Sequence, residues 1–291
     1  MVTLCRRSLY LIALLPIALT ACGGGDDAGS AAAGGGAADV APVQIDNPGT
    51  ITGSVAFTGT APTLETIDMR DEPVCSDKHT EPPVQRTVVV NDNGTLSNVF
   101  VWVREGLTQS YPAQGEAPVL DQDGCLYQPR VLGVVSGQPF EIHNSDAVLH
   151  NVNAQPDANR GFNISQPQEG MTSERSFSTA EVMVPVQCDV HGWMTAYIGV
   201  VDHPYFAVTG GDGSFTIENL PPGDYVVEAW HEQYGTQTAN VTVPPDGTVE
   251  APFTYDAAAA RNAIVPLGTP IDLHDHGAHV ATVPTDAGDE E

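Results

Sequence analysis

Lysine is almost missing from this chain. Lys78 is the single lysine, and 10 basic residues face 37 acidic ones, giving a formal net charge of −27 over 291 residues. A chain this acidic repels phosphate, which excludes the nucleic-acid-binding classes. Charge of either sign is sparse, at 16% of residues, and the shortage of Leu, Lys and Glu beside 29 Gly and 23 Pro excludes a long helical bundle. No stretch of useful length carries helical periodicity. The apolar run over 9–19 is shorter than the ~20 residues a membrane-spanning helix needs. There is no CxxCH for haem attachment, and no Ser/His/Asp arrangement or phosphate loop stands out, so neither attached haem nor turnover of a small-molecule substrate is expected.

What is present begins with an export signal. Arg6 and Arg7 form a basic start, residues 9–19 an apolar stretch, and the chain then reads Leu19-Thr20-Ala21-Cys22. This is the order of a secretion signal. The last four residues resemble the lipobox of bacterial lipoproteins, which implies cleavage after residue 21, lipidation of Cys22 and attachment to a membrane. Gly23, in place of an acidic residue, implies sorting to a periplasm-facing outer membrane, the outer face of the cytoplasmic membrane being the alternative. Residues 22–47 are rich in Gly and Ala with too few large apolar groups to fold, as in a flexible tether. Residues 256–291 are Ala-rich and then acidic. They read as a disordered tail in which His274, His276 and His279 are solvated.

Five cysteines occur. Cys5 leaves with the signal and Cys22 would carry lipid. In an oxidising compartment the remaining three, Cys75, Cys125 and Cys188, are an odd number that needs explaining. The economical assignment pairs Cys75 with Cys125 and leaves Cys188 for chemistry. A second metal site in Cys75-Ser76-Asp77-Lys78-His79 is the alternative.

Strand signals fill the middle of the chain, and the fold class is all-β. Residues 51–57 alternate between apolar and small or polar types. Residues 87–90 are β-branched ahead of a turn at Asn91-Asp92-Asn93-Gly94, and 99–103 form a continuous apolar run. Val182, Val184 and Val186 recur at period two and lead into Cys188, and residues 197–201 follow as another strand. In the run from Gly213 to Tyr225, Phe215 and Ile217 face inward, Pro221-Pro222-Gly223 turns the chain, and Tyr225, Val227 and Ala229 return to the core. That run resembles the carboxypeptidase regulatory-like, or transthyretin-like, β-sandwich. The resemblance implies a first half for the sandwich, which the strands at 51–57 and 98–101 supply. The expected organisation is a signal (1–21), a tether (22–47), a sandwich in two parts (48–115 and 203–255) around an inserted domain (116–202), and the tail (256–291). Serial β-domains are the alternative.

The chemistry lies in the inserted segment. Cys188-Asp189-Val190-His191-Gly192-Trp193-Met194 spells C-x2-H-x2-M between two strands, and His150-Asn151 sits beside a strand upstream. A thiolate, two imidazoles and a weak thioether form the ligand set of a blue-copper site. The segment resembles the cupredoxin family, in particular its amicyanin-like members with a short ligand loop. The resemblance implies a Greek-key β-sandwich holding one type 1 copper, with His150, Cys188 and His191 as equatorial ligands and Met194 as the axial one. It implies that Asn151 braces the two ligand segments. It also implies that His191 is the exposed ligand, that redox partner proteins dock near His191 and Trp193, and that His191 tends to leave copper in acid. Amicyanin-like loops have Pro where this chain has Gly192, which loosens the loop. The expected role is a membrane-anchored one-electron carrier with no substrate turnover. A copper buffer or delivery protein, or a surface interaction module, are the alternatives. His143, His203 and His231 are expected to play structural parts.

Overall fold

The computed structural model of the protein describes residues 43–262. The signal, Cys22 and the tail histidines lie outside the described residues. In chain order the elements are β1 (Gly49–Thr58), α1 (Pro73–Ser76), β2 (Phe100–Glu105), β3 (Val119–Gln122), β4 (Tyr127–Gln128), β5 (Val131–Val135), β6 (Phe140–Asn144), β7 (His150–Ala154) and β8 (Phe162–Gln166). Then come β9 (Thr172–Arg175), β10 (Glu181–Gln187), β11 (Thr195–Val201), β12 (Phe206–Val208), β13 (Ser214–Leu220), β14 (Gly223–His231), β15 (Gly235–Val243), β16 (Thr248–Glu250), β17 (Phe253–Asp256) and a short 3₁₀ helix over Ala257–Asn262. The architecture is all-β, as the alternating patterns require.

Four sheets make two layered pairs. In the first pair, β1 lies between β13 and β16 and also pairs with β17, while the facing sheet has the order β12-β2-β14-β15. Ile51 and Val55 of β1, Phe215 and Ile217 of β13, and Val227 and Ala229 of β14 meet in one buried cluster. Strand β14 shows why: its residues alternate in burial, so one face supplies the core and the other does not. In the second pair, a five-stranded sheet β5-β11-β10-β7-β8 faces a four-stranded sheet β4-β3-β6-β9. The β5–β11 and β3–β6 pairings are parallel and their neighbours antiparallel, as in a Greek-key sandwich. Val152, Val184, Val186, Ile198 and Phe140 fill its interior.

A third cluster packs the two pairs together. Phe100 and Trp102 of β2 meet Val131, Met183 and Val201 there, while Val101 and Val103 turn to the first interior. Both faces of β2 are therefore buried, which accounts for a continuous apolar run where a half-exposed strand would alternate. The Arg130 guanidinium crosses the same junction, forming a two-point ion pair with Glu232 whose side chains are 7% and 8% exposed.

Two expected patterns come out differently. Residues 87–90 form no ladder strand. Val90 makes an isolated bridge to Leu96, and the stretch belongs to an excursion between β1 and β2. Val182 is exposed although it shares a period with Val184 and Val186. The β10–β11 register shifts between Glu181 and Val184, and this irregularity reverses the facing of the strand's start, putting Met183 into the junction cluster.

The excursion is closed at its base by a bridge between Thr66 and Val84 and by hydrogen bonds from Ile67 N to Pro83 O and from Gln85 N to Glu65 O. Its apolar side chains Ile67, Met69 and Cys75 join the interior of the second sheet pair. The excursion thus lies against one end of that sandwich.

Candidate metal centre

The sandwich end carries three convergent ligand atoms. His150 starts β7, Cys188 follows β10 directly, and His191 lies on the turn between β10 and β11. Nδ1 of His150 is 2.9 Å from Nδ1 of His191, and Nδ1 of His191 is 4.0 Å from Sγ of Cys188. All three residues are buried, and their ligand atoms lie within 4.8 Å of one another. Met194 is also fully buried, at the start of the return toward β11.

The ligand turn is held by backbone geometry. Cys188 N donates to Met194 O at 3.1 Å, and Met194 N donates to His191 O at 2.9 Å. His191 N donates to Cys188 Sγ at 3.3 Å. A Cβ added at Gly192 would meet nothing within 4 Å, so no contact requires glycine there. Asn151 ties the two ligand segments together. Its Oδ1 accepts from Asp189 N at 2.7 Å, and its Nδ2 donates to Asp189 Oδ2 at 2.9 Å. Asp189 also accepts from the amides of Asn153 and Asn163, which clamps the loop from the β7–β8 side.

His150 is fixed from behind by Asp146. Nε2 of His150 donates to Asp146 Oδ2 at 2.9 Å, which leaves the Nδ1 lone pair facing His191. The Asp146 carboxylate is fully buried and receives three further hydrogen bonds, from Gly124 N (2.9 Å), Cys125 N (2.7 Å) and Lys78 Nζ (2.8 Å). Gly124 and Cys125 both have positive φ, 63° and 54°. They are the two central residues of the β3–β4 hairpin turn, and that mirror-image conformation directs both N–H groups toward the carboxylate.

Charge in the cluster follows from these contacts. Burial pushes the Asp146 carboxyl upward, but hydrogen bonds from His150, Lys78, Cys125 N and Gly124 N hold it well below the usual carboxylate range. Burial opposes protonation of His150, yet its bond to Asp146 and the nearby Cys188 sulfur raise it. The Cys188 thiol is likewise opposed by burial and pulled down overall by His150 and by the hydrogen bonds around its sulfur. His191 is lowered by burial first and by the charge of His150 second. The contacts therefore ease ionisation of the Cys188 thiol, and they make His150 the more basic of the two imidazoles.

This donor set fits a copper ion. Metal bonds of ~2.0–2.1 Å to nitrogen and ~2.3 Å to sulfur are compatible with nitrogens and a sulfur this close together. One soft thiolate with two imidazoles suits copper, whereas structural zinc takes four nitrogen or sulfur ligands without thioether.

The position of His191 departs from expectation. The ring is 1% exposed rather than the open edge of the site. The excursion covers it: the Cys75–Cys125 disulfide joins α1 to the β3–β4 turn, and Cys75 Sγ lies 3.9 Å from His191 Nε2. Trp193 packs against the same imidazole, with ring centroids 5.1 Å apart, and donates from Nε1 to Cys125 O at 3.0 Å. The disulfide also removes Cys75 and Cys125 as free ligands, so no second thiolate site forms in the run from Cys75 to His79. His143 pairs with Glu141 on a strand surface, and Nδ1 of His203 and of His231 each accept a local backbone N–H.

Sequence reasoning missed Asp146, Lys78 and the covering role of the excursion. Two signals were available: an acid four residues before a candidate histidine ligand, and the chain's single lysine three residues after a candidate disulfide cysteine.

Comparison with known proteins fits this layout in part. Residues 195–256 match the carboxypeptidase regulatory-like domain family. The match begins on β11, a strand that pairs with β10 and β5. No curated protein sequence matches the chain. Among solved structures, a purple cupredoxin from Nitrosopumilus maritimus is similar at 19% identity, over 28% of this chain and 98% of that one, with a TM-score of 0.25. A mutant of amicyanin in the Cu(I) form is similar at 20% identity, over 30% of this chain and 85% of that one, with a TM-score of 0.27. A copper-containing nitrite reductase from Thermus scotoductus is similar at 17% identity, over 33% of this chain and 24% of that one, with a TM-score of 0.26. What defines the centre is the convergence of His150, Cys188 and His191.

Proposed function

We propose that the protein is a copper-binding protein that holds one ion in a closed, type 1-like centre. His150, Cys188 and His191 would be its equatorial ligands and Met194 the axial one. The observation that carries this reading is the approach of two imidazole Nδ1 atoms and one buried thiol within a shared 4.8 Å. When bound, copper supplies a one-electron couple. The chain's part is to hold the sulfur as thiolate, aim the two lone pairs inward and exclude water. Burial of all four side chains favours retention of the ion, as in a copper store or buffer. The test is copper stoichiometry on the purified chain. One ion per chain is expected, lost in Cys188→Ala and weakened in His150→Ala and His191→Ala; stoichiometry unchanged in all three variants contradicts the reading.

One observation favours a second reading, a one-electron carrier with no substrate turnover. The half-buried Trp193 ring packs on His191 and offers a short route from a ligand to the surface, where a redox partner would dock. Repeated reduction and reoxidation with copper retained supports the carrier, and loss of copper on reduction supports delivery instead. Residues 116–202 would act as an inserted copper domain on a transthyretin-like platform. Lipidation at Cys22 would anchor the protein in the cell envelope, and fatty-acid labelling that persists in Cys22→Ala would remove the anchor from this account.

A further inference from the structure

We infer that the Cys75–Cys125 disulfide is a lock on this centre: copper enters readily before it closes and exchanges only slowly afterwards. The inference rests on the copper reading above and adds an order of assembly to it. His150, Cys188 and Met194 are fully buried and His191 nearly so, so an incoming ion has no open path and some covering group must move. Toward the sandwich interior the cover is the buried cluster that Cys188 and Met194 share with Val152, Val184, Val186 and Ile198, whose paired strands cannot part without breaking ladders. On the other side it is the tip of the excursion, with Cys75 Sγ 3.9 Å from His191 Nε2. That tip is a single helical turn, Pro73–Ser76, within a long connection between β1 and β2.

Apart from the disulfide, few bonds hold the tip at the site. Lys78 Nζ donates to Asp146, to Ser145 O at 3.0 Å and to Asp123 at 3.3 Å, and His79 Nε2 donates to Gly124 O at 2.8 Å. Losing the Lys78 bond to buried Asp146 carries a cost, but all of these are non-covalent contacts that local opening can break transiently. The disulfide is a different restraint, because it closes a 50-residue separation covalently. Both of its sulfurs are fully buried, so an outside thiol cannot reach them while the tip is down. With two free thiols the tip lifts readily and admits the ion; with the disulfide formed it lifts far more rarely.

The closing step balances without the metal. A Cys75 or Cys125 thiolate attacks a protein disulfide donor and expels one donor thiol, giving a mixed disulfide. The other thiolate attacks that bond and releases the second donor thiol. Two protons and two electrons pass from the cysteines to the donor, and copper keeps its oxidation state.

The experiment compares the full chain with its disulfide formed and the Cys75→Ser/Cys125→Ser variant, each prepared copper-free and mixed with aqueous Cu(II). Both should bind one ion with the same visible spectrum. The variant should take copper up, and surrender it to a chelator, at least tenfold faster. Equal rates in two forms that both bind copper overturn the lock and leave the copper reading intact; failure of both to bind overturns the copper reading. Amide exchange on the copper-free natural chain decides the lock independently of the variant. Residues 72–79 should exchange at least tenfold faster after reduction while β10 and β11 keep their protection, and identical protection in both states overturns the inference.

Discussion

The chain's only lysine, Lys78, donates to the fully buried carboxylate of Asp146 at 2.8 Å, and the same carboxylate accepts from the outer nitrogen of His150. One acid thus joins the covering excursion to a metal ligand. A buried carboxylate left with fewer donors would be costly, so each of its four partners helps to keep it ionised and in place.

Asp146→Asn should therefore lower copper affinity about 10- to 100-fold, the range typical when the partner behind a ligand histidine is removed. Competitive titration against a chelator measures it. The cause is loss of the negative charge behind His150 and of one of the two oxygens that four donors share, which weakens the hold on the His150 proton at Nε2, so the visible spectrum should change as well. Unaltered affinity and spectrum would mean that His150 needs no support from behind.

Acid should affect this centre less than the family resemblance implies. A ligand histidine that leaves the metal on protonation needs room to turn into solvent, and His191 lies under Cys75 and against Trp193. The reduction potential is expected to stay flat from neutral pH to about pH 5, within the range where an ordinary histidine takes up its proton. Protein-film voltammetry across that range is the check, and a steep rise toward acid would show that the cover yields.

The fold has its own acid dependence, set by His231. Burial first and the Arg130 charge second push this imidazole from 6.5 down to about 4. As pH falls, the unfolded chain takes up the proton before the folded one does. Stability is therefore lost between about pH 6.5 and about pH 4, by about 3 kcal/mol in all. His231→Gln should flatten that part of the pH–stability curve in denaturant titrations, and an equally steep curve would assign the effect to other groups.

The junction offers a further test. Arg130 and Glu232 are nearly enclosed, and burial raises the Glu232 carboxyl. Removing the guanidinium in Arg130→Met leaves an acid without its partner and should cost about 3–5 kcal/mol, whereas Arg130→Met/Glu232→Leu should cost much less. Equal losses from the single and double variants would show that the two residues are not coupled.

Much of the fold was legible because its signals are local. Phe215, Ile217, Tyr225, Val227 and Ala229 alternate, and the alternation survives folding. Val182 and residues 87–90 misled because a register shift and an irregular excursion depend on partners distant in sequence. At the centre, the residue types and the C-x2-H-x2-M spacing drew attention to Cys188 and His191, and His150 joins them in space. The cover over His191 was not legible, since a disulfide fixes which cysteines meet but not which side chain lies beneath them. Asp146 escaped for a related reason: its partners come from α1's C-terminal side, the β3–β4 turn and β7, and only the folded chain brings them together.

Visible absorption of the Cu(II)-loaded chain beside its Cys188→Ala variant tests the central claim most directly. Thiolate bound to Cu(II) in a trigonal field with two imidazoles should give the natural chain an intense blue or purple band, absent from the variant. A weak spectrum common to both proteins would contradict a centre built on Cys188, His150 and His191.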